Sequence, residues 1–551
     1  MTDLRGAQEA YARGELTTAL ERVDILVARM PEHAPTRYCA GVWLAQAGRM
    51  AAALPHLEHA VALAPTDADA WLALGNVRRA LGDASGAEQG YQRAVALAPD
   101  SAGAHYNLGL VLKAASATAA VPHFERACVL APDFEDAQVE CVLALVGCGR
   151  LADAQAHARR ARTLLPASGR LAAAAGYALQ KDLRPEAALA SYDEAERLGA
   201  ADHELWNNRG IVLQDLGRMD DALVAYERAL AVKPGFVLAR FHRGLARLAR
   251  REYGTAWDDY ALRLQSDDGP RHPVGGRAWA GEPLAGRSIL VIGEQGLGDE
   301  IMFASCVPDL LARGGRVTLA CTPRLASLFR RSFPAADVVA LQAGRPLAVQ
   351  ADFHVFAGSL PGRFRRSAAD FPRHAGYLQA APERVAYWRE RLATLGPGMK
   401  LGMSWRGGTA QTRARLRHVP FGEWEPLFAL RGVRYVSLQY GDADEVRRAG
   451  YDVTVWPEAL DDYDETAALV AALDGVVSVC TAVIHLAGAL GRRVWVMAPA
   501  SPEWRYGIAG DRMDWYPAVR VFRQRVAGAW TPVIADVTDS LRNALETRPA
   551  R

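Results

Sequence analysis

A spacing of about 34 residues between prolines organises the first half of this 551-residue chain. The gaps are 34, 34, 33, 34 and 68 residues in the series Pro31, Pro65, Pro99, Pro132, Pro166 and Pro234. A glycine series keeps the same period, with gaps of 34, 34, 67, 34 and 34 residues between Gly41, Gly75, Gly109, Gly176, Gly210 and Gly244. Two residue types in one register over some two hundred residues indicate an internal structural repeat.

Each unit of the period predicts two helices. The first contains the glycine, as in 206–210, and the glycine lets a neighbouring helix approach closely. The second, as in 222–230, has apolar residues at i, i+1, i+4, i+7 and i+8, which form one buried stripe. The proline then ends the helix. The period and the pattern resemble the tetratricopeptide repeat (TPR), and they predict an all-α TPR superhelix over residues 1–265, with about seven repeats and a pair of capping helices.

A solenoid of stacked helix pairs presents a concave surface on which a peptide segment can bind. Asparagine side chains on such a surface can hydrogen-bond a peptide backbone whatever its sequence. Four asparagines at repeat positions are the candidate contacts, namely Asn76, Asn107, Asn207 and Asn208. The alternative is that these side chains are only exposed to solvent and that the array spaces or oligomerises the chain.

Composition narrows the possible partners. With 64 Lys+Arg against 62 Asp+Glu, the chain has no overall charge that would favour nucleic acid or an anionic membrane. Its seven cysteines are scattered without a C-x-x-C pair, so neither a disulfide framework nor a metal site is expected, and the cytoplasm is the expected compartment. The apolar stretch 475–491 is too short and too polar for a membrane span.

The helical repeat pattern ends at a turn-rich segment, and residues 266–285 are predicted to be a linker. Short apolar strands, beginning with 288–292, then alternate with helices. This alternation predicts two parallel α/β lobes, over residues 286–381 and 382–551, which resemble Rossmann folds. Ligands of such folds bind at the carboxyl ends of the strands, so we expect the site in the cleft between the lobes.

A glycine loop at 293–300 follows the first strand of this region. Gly296 and Gly298 would let backbone N–H groups approach a ligand, but the loop has neither the Walker sequence nor the dinucleotide-binding spacing. Asp299, at the strand–helix junction, could accept a proton from an attacking hydroxyl. Its alternative role is to cap the helix that begins near residue 301.

A second junction lies near Thr481, where a strand ends and a helix begins at once. Thr481 and Ala482 would open an anion site at the start of the helix, which suits a phosphate. His485 lies one helical turn further along, on the same face as Thr481. A single helical histidine is more often structural than a ligand contact.

The third motif is Trp405-Arg406-Gly407-Gly408, followed by Arg413, Arg415 and Arg417. Arg406 at a strand end could pair with a phosphate or a carboxylate, whereas at least one of the later arginines is expected in a solvated loop. Trp504, within 502–507, could stack on a base or a sugar, or could simply pack.

The segments 294–299 and 481–489 resemble the two signature regions of the heptosyltransferase-like glycosyltransferases, which have a GT-B fold of two Rossmann-like lobes. Together with the repeats, the layout resembles bacterial TPR glycosyltransferases, which include flagellin glycosyltransferases, and also the O-linked N-acetylglucosamine transferases. The segments 405–408, 437–441 and 503–505 strengthen the resemblance within the bacterial group, and Trp405 and Gln439 in them are further candidate contacts of the donor.

The resemblance implies that Asp299 is the general base and that the segment around Thr481 and His485 binds the donor phosphate. It implies a nucleotide-sugar donor, either a CMP-linked nonulosonic acid of the pseudaminic or legionaminic type or a UDP- or other NDP-sugar. It further implies transfer to Ser or Thr of a protein acceptor such as flagellin, with no separate cofactor.

Cys480 departs from the family pattern, which usually has Asp before the threonine, and this makes metal dependence less expected. It also supports the rival hypothesis, a non-catalytic TPR scaffold with a degenerate transferase domain. A nicotinamide-dependent oxidoreductase is disfavoured by the spacing of the glycines.

Overall fold

The computed structural model describes residues 2–266, 275–342, 347, 349–408, 414–441 and 444–547. The chain divides into two compact units, Met1–Leu205 and Trp206–Arg551, which we call unit 1 and unit 2. The division falls inside a repeat helix, so the last repeat helices belong to the same compact unit as the α/β region.

Unit 1 is helical, and its helices pack on their neighbours in chain order. They are α1 (Thr2–Ala12), α2 (Leu16–Arg29), α3 (Ala34–Gln46), α4 (Met50–Leu63), α5 (Ala68–Ala80), α6 (Ala84–Leu97), α7 (Ala102–Ala115), α8 (Ala117–Leu130), α9 (Glu135–Gly147), α10 (Leu151–Leu164), α11 (Gly169–Lys181) and α12 (Pro185–Arg197), followed by the start of α13 (His203–Asp215). The repeat prolines follow the ends of the second helices, because proline cannot continue a helix.

The repeat glycines permit close contact between the two helices of a unit. A Cβ atom placed on Gly75 would lie 2.7 Å from the ring of Tyr91, and one on Gly109 would lie 2.7 Å from the ring of Phe124. Both distances are too short for a real contact. The period in the sequence therefore records a packing requirement in which a glycine faces the next helix, with an aromatic ring as its neighbour at Gly75, Gly109, Gly176 and Gly210.

Unit 2 continues with repeat helices and then changes to α/β structure. The remaining repeat helices are α14 (Met219–Val232), α15 (Val237–Ala249) and α16 (Tyr253–Tyr260). The strands are β1 (Arg277–Ala278), β2 (Ser288–Ile292), β3 (Arg316–Cys321), β4 (Asp337–Ala340), β5 (Phe353–Phe356), β6 (Met399–Ser404), β7 (Val433–Ser437), β8 (Val453–Thr454), β9 (Gly475–Val479), β10 (Arg493–Ala498), β11 (Arg512–Met513) and β12 (Tyr516–Arg523). The helices among them are α17 (Leu297–Ala304), α18 (Val307–Leu311), α19 (Ala326–Ser332), α20 (Pro361–Phe364), α21 (Pro382–Ala393), α22 (Glu425–Phe428), α23 (Asp444–Ala449), α24 (Glu458–Asp461), α25 (Tyr463–Ala472), α26 (Ala482–Ala489) and α27 (Thr531–Glu546).

The strands form two sheets, in the orders β1-β5-β2-β3-β4 and β11-β12-β10-β9-β6-β7-β8. All neighbouring strands are parallel except β11 and β12, which are antiparallel. The predicted alternation of strands and helices is confirmed. Part of the predicted linker is not a linker, since β1 pairs with β5; residues 267–274 of that segment lie outside the described residues.

The junctions of β2 with α17 and of β9 with α26 lie next to each other, because α17 packs on α26. A Cβ atom on Gly298 of α17 would lie 2.9 Å from the ring of His485 on α26. A tryptophan-rich core beneath the second sheet, with Trp405, Trp424 and Trp495, supports the strands that end at this point. The fold therefore brings the first two predicted motifs together.

Candidate active site

A cleft of about 820 Å³ opens beside the first turn of α17. Its lining combines four of the sequence-predicted donor contacts, which are Arg406, Gln439, Thr481 and Ala482. The other lining residues are Leu297, Arg324, Ser404, Gly407, Gly408, Ala414, Arg415, His418, Leu438, Tyr440, Tyr463 and Val483. We call this the arginine cleft.

The arginine cleft has a positive lining. Arg324, Arg406 and Arg415 contribute guanidinium groups, and no lining residue in the described part of the chain is a carboxylate. Arg406 is partly balanced from outside the lining, because its Nη1 lies 3.4 Å from Oε2 of Glu445. A concentration of arginines with so little compensation favours an anionic ligand.

The first turn of α26 lines the same cleft through Ala482 and Val483. Thr481 is at the N-cap position, as predicted, but its side chain does not cap the helix. Its hydroxyl instead lies 3.1 Å from the hydroxyl of Ser478. The first N–H groups of a helix have no intrahelical partner, so this turn can donate hydrogen bonds to an anion.

Gln439 fixes the chain where β6 leads into the cleft. Its Oε1 accepts hydrogen bonds from the backbone N–H groups of Trp405 and Arg406, both at 3.1 Å, and from Oγ of Ser404 at 3.0 Å. Trp405 is buried, and its indole N–H donates to Glu445 at 3.0 Å. Trp405 therefore lines neither this cleft nor the one described next, and it acts through packing.

A second cleft of about 460 Å³ contains Asp299. One wall comes from the repeat helices α13 and α15, and the rest comes from the α/β region. Its lining residues are Ile211, Gln214, Asp215, His242, Leu245, Asp299, Leu416, Arg417, Pro499, Ser501, Pro502, Glu503, Trp504 and Arg505. We call this the repeat-side cleft.

The glycine loop that carries Asp299 is held from the repeat side. The carboxylate of Glu294 is buried and pairs with Arg263 at 2.6 Å, and it also accepts the backbone N–H of Gly358 at 2.7 Å. Gln295 adopts a left-handed φ of 67°, and its amide donates to the hydroxyl of Tyr260 at 3.1 Å. These contacts set where α17 begins.

Asp299 lies in the first turn of α17, and Gly296 is the N-cap residue. The alternative in which Asp299 caps the helix is therefore wrong. Its Oδ1 forms an ion pair with Arg505, and among the described residues Oδ2 has no hydrogen-bond donor. Burial would lower the pKa of Arg505, but the carboxylates of Asp299 and Glu503 outweigh it and raise that pKa.

Of the predicted contacts Trp504, Gly296 and Gly298, only Trp504 lines a cleft. Trp504 lines the repeat-side cleft, and it also packs edge-on against Trp257 with ring centroids 5.6 Å apart. Gly296 and Gly298 line neither cleft: Gly296 begins α17, and Gly298 lies against His485.

His485 is buried and lines neither cleft. Its Nδ1 lies 3.1 Å from the hydroxyl of Tyr516, and its Nε2 lies 3.4 Å from that of Tyr506. Burial, and secondarily Arg505, hold the pKa of His485 well below its usual range. The placement supports the structural role rather than the predicted contact with the donor.

Cys480 is also buried, with its Sγ 3.9 Å from the carbonyl of Met497. Burial raises the pKa of its thiol well above the usual value. The side chain at the position where the resemblance would place an aspartate thus lines neither cleft.

Two arginines that the sequence analysis did not select as site residues line the clefts. Arg417 is not solvated: it is buried and pairs with Glu503 at 2.6 Å in the repeat-side cleft. Arg324 follows β3, and its guanidinium lies over the rings of Tyr440 and Tyr463, at 4.9 and 5.1 Å. Its position after a parallel strand was the signal that could have identified it. Arg413 lies outside the described residues.

The asparagines predicted to contact an acceptor differ in exposure. Asn76 is exposed, and its Oδ1 accepts a hydrogen bond from Tyr91 at 2.9 Å, whereas Asn107 and Asn208 are half-buried. Asn207 is buried and contacts Nδ1 of His242 at 2.8 Å, so it is not presented to a partner. Among the helices in the described ranges, none has the length and apolar character needed to cross a bilayer.

Tetratricopeptide-repeat family models match residues 4–68, 75–115 and 203–236. Protein FlbA of Caulobacter vibrioides is 34% identical over 380 residues, which cover 64% of this chain and 63% of that protein. The matched region thus spans slightly under two thirds of the relative's length.

Two solved structures illustrate the likeness to repeat proteins. A tetratricopeptide repeat protein from Parabacteroides merdae has a TM-score of 0.36 and 13% identity, covering 44% of this chain and 96% of that chain. PilF from Pseudomonas aeruginosa has a TM-score of 0.33 and 19% identity, covering 38% of this chain and 95% of that chain. From the family models and the paired helices, we conclude that the amino-terminal part of this chain consists of tetratricopeptide repeats.

Proposed function

We propose that this protein is an O-glycosyltransferase of the GT-B type, which transfers a sugar from a nucleotide-sugar donor to Ser or Thr of a protein held by its repeat helices. The proposal rests on one observation, which is that the first turn of α17 borders both clefts. Leu297 of α17 lines the arginine cleft, and Asp299, two residues later, lines the repeat-side cleft.

The arginine cleft is assigned to the donor. Its volume of about 820 Å³ lies within the range of small-molecule sites, roughly 300–1,000 Å³. Arg406 and the first turn of α26 would bind the phosphate and stabilise the negative charge that it gains as it leaves. Tyr440, which is partly exposed at the lining, offers a ring for contact with a base or a sugar.

The repeat-side cleft is assigned to the acceptor. The hydroxyl oxygen of the acceptor would bond to the anomeric carbon of the sugar while its proton passes to Oδ2 of Asp299. The bond from that carbon to the phosphate oxygen breaks, and its electron pair leaves with the phosphate. Arg505 holds Asp299 through Oδ1, and helices α13 and α15 would position the segment that carries the hydroxyl.

The resemblance in sequence extends the proposal to flagellin as the acceptor and to a CMP-linked nonulosonic acid as the donor, in the cytoplasm. UDP- or other NDP-sugars are the alternative donors. In this proposal arginines rather than a metal ion neutralise the phosphate.

The test is transfer in vitro. Flagellin is incubated with the protein and a panel of CMP-, UDP- and GDP-sugars, and the mass of the intact flagellin is measured. We expect the mass of one or more sugars to be added, and Asp299→Asn to slow the transfer at least about 100-fold, since general bases contribute roughly 10²–10⁴-fold. Asp511→Asn is the matched control, because Asp511 also pairs with an arginine but is exposed and lines neither cleft.

The second candidate function is a scaffold that binds proteins through its repeats without catalysis. It is favoured by the ion pair of Asp299 with Arg505, which occupies one oxygen of the candidate base. If the protein binds flagellin but transfers no sugar from the panel, or if Asp299→Asn transfers as fast as the wild type, the enzyme proposal is wrong.

A further inference from the structure

Three ligand-type side chains meet inside unit 1, and none of them lines either cleft. Cys128 of α8, Cys141 of α9 and His157 of α10 each bring one potential ligand atom to a place where all three atoms lie within 4.8 Å of one another. Cys141 lies 13 positions after Cys128, and His157 lies 16 positions after Cys141, so no short sequence motif identifies the cluster. Three consecutive repeat helices create the cluster.

The histidine ring of this cluster has a fixed orientation. The side-chain amide of Gln138 donates to the carbonyl of Pro132 at 3.0 Å, which turns its Oε1 towards Nε2 of His157 at 2.8 Å. Nε2 must then carry the proton, since the amide oxygen can only accept. The lone pair of Nδ1 therefore faces the cysteines, 3.7 Å from Sγ of Cys141.

This arrangement is the one that metal-bound histidines use. A ligating imidazole normally donates its other N–H to a neighbouring oxygen, which fixes both the tautomer and the direction of the ring. Two sulfurs and one imidazole nitrogen form a soft ligand set that suits Zn²⁺, and three protein ligands leave a fourth position for water.

The surroundings fit a site that is enclosed but accessible. Cys141 is fully buried and Cys128 is 7% exposed, within an apolar cluster that includes Phe124 and Val142. His157 is half-buried, which leaves an approach from its side. Zn–S and Zn–N bonds of about 2.0–2.3 Å require ligand atoms roughly 3.3–3.8 Å apart, so shifts of about 1 Å would complete the site.

We propose that Cys128, Cys141 and His157 bind one Zn²⁺ ion, with Nδ1 of His157 and both cysteine sulfurs as ligands. Each cysteine that binds the metal releases its proton to solvent, so two thiol protons leave for each ion bound. The bound ion ties α8, α9 and α10 together and stiffens the middle of the repeat array. This function is independent of sugar transfer.

The experiment uses the full chain, reduced and stripped of metal. Zn²⁺ is titrated against a chromophoric chelator, and Co²⁺ is then substituted to detect sulfur-to-metal charge-transfer absorption. We expect one equivalent of Zn²⁺, thiolate absorption with Co²⁺, and a rise in Tm on adding Zn²⁺. Cys128→Ser, Cys141→Ser and His157→Gln should each abolish stoichiometric binding, and Gln138→Leu should weaken it about 10–100-fold because it frees the imidazole.

Cys148→Ser is the matched control, since Cys148 ends α9 but is not part of the cluster. Circular dichroism of each variant verifies the helical fold. The rise in Tm on adding Zn²⁺ is measured on the wild type, so it does not depend on whether a variant folds. The proposal is overturned if the reduced wild type binds no stoichiometric Zn²⁺, or if Cys148→Ser loses as much binding as Cys141→Ser. It is also overturned if Cys128 and Cys141 form a disulfide and bind no Zn²⁺ once reduced.

Discussion

The two units of this protein differ in whether they bury charged side chains. Within the ranges that the structure describes, every buried Asp, Glu, Lys or Arg residue lies in unit 2. They are Asp259, Arg263, Glu294, Glu300, Arg365, Lys400 and Arg417. The buried polar residues of unit 1 are the uncharged Thr36, Gln138 and Ser191, and His105.

The difference shows that the two units solve the packing problem in different ways. In unit 1, Gly75, Gly109 and Gly176 repeat one short-range contact, a glycine against an aromatic ring. Most ion pairs of unit 1 are exposed to solvent, where each contributes little. Unit 2 buries the ion pair of Arg263 with Glu294, which joins the segment after α16 to the glycine loop. Such a pair costs desolvation but fixes geometry, which a site needs more than a solenoid does.

The largest expected effect is that of breaking this buried pair. Arg263→Met would leave Glu294 buried without its cation, and removal of one partner of a buried pair costs about 3–5 kcal/mol. We expect a large fall in Tm, measured by calorimetry. The matched change Arg366→Met breaks an exposed pair with Asp258 and should cost at most about 1 kcal/mol. Equal losses in the two variants would remove the distinction drawn above.

A pair of changes within one helix tests the packing of unit 1. Gly109→Ala places a methyl group against Phe124 and should destabilise the repeats by about 1–3 kcal/mol. Gly103→Ala, also in α7, meets no atom within 4 Å and should stabilise them by roughly 0.5–1 kcal/mol, because alanine favours the helix. Thermal unfolding followed by circular dichroism measures both, and two changes of the same sign would contradict the proposed packing.

The arginine cleft can be tested by binding alone. Arg406→Gln should raise the Kd for a nucleotide sugar about 10-fold, since a charged hydrogen bond to phosphate is lost. Isothermal titration calorimetry measures the change. Arg520→Gln removes an exposed arginine that lines neither cleft and should leave the Kd unchanged. An unaltered Kd in Arg406→Gln would show that the arginine cleft is not the donor site.

The smallest effect concerns pH. Burial holds the pKa of His485 well below its ordinary value of about 6.5, so the folded protein keeps the ring neutral while the unfolded chain protonates it near that pH. Below about pH 6.5 the unfolded chain binds more protons, and stability falls as pH falls, by up to about 1.4 kcal/mol per unit. Tm measured between about pH 7 and 5 should fall less steeply in His485→Gln than in the wild type. An equal slope in His485→Gln and in the wild type would refute the linkage.

Much of the fold was predictable because its patterns are local. The 34-residue period predicted the repeats, and the apolar run 288–292 predicted β2 with its observed ends. The prediction assigned β1 (Arg277–Ala278) to a linker, because a strand of two residues has too little pattern to detect.

The candidate site was predictable in part. Arg406 and Thr481, which follow the carboxyl ends of parallel strands, line one cleft, and so does Gln439, which was chosen only through the resemblance. Trp405 and His485, whose donor contacts were expected from the resemblance, lie in the core instead. Position along the chain identifies the end of a strand, whereas the direction of a side chain depends on what packs around it.

The sequence by itself determined the repeats, the change to α/β structure and the junctions where ligands can bind, because each depends on residues close together in the chain. Only the tertiary structure decided that α13 and α15 form a wall beside Asp299, that Arg505 pairs with it, and that Cys128, Cys141 and His157 converge. These contacts join residues whose separation follows no period. They arise because packed helices and sheets bring distant side chains to a common point.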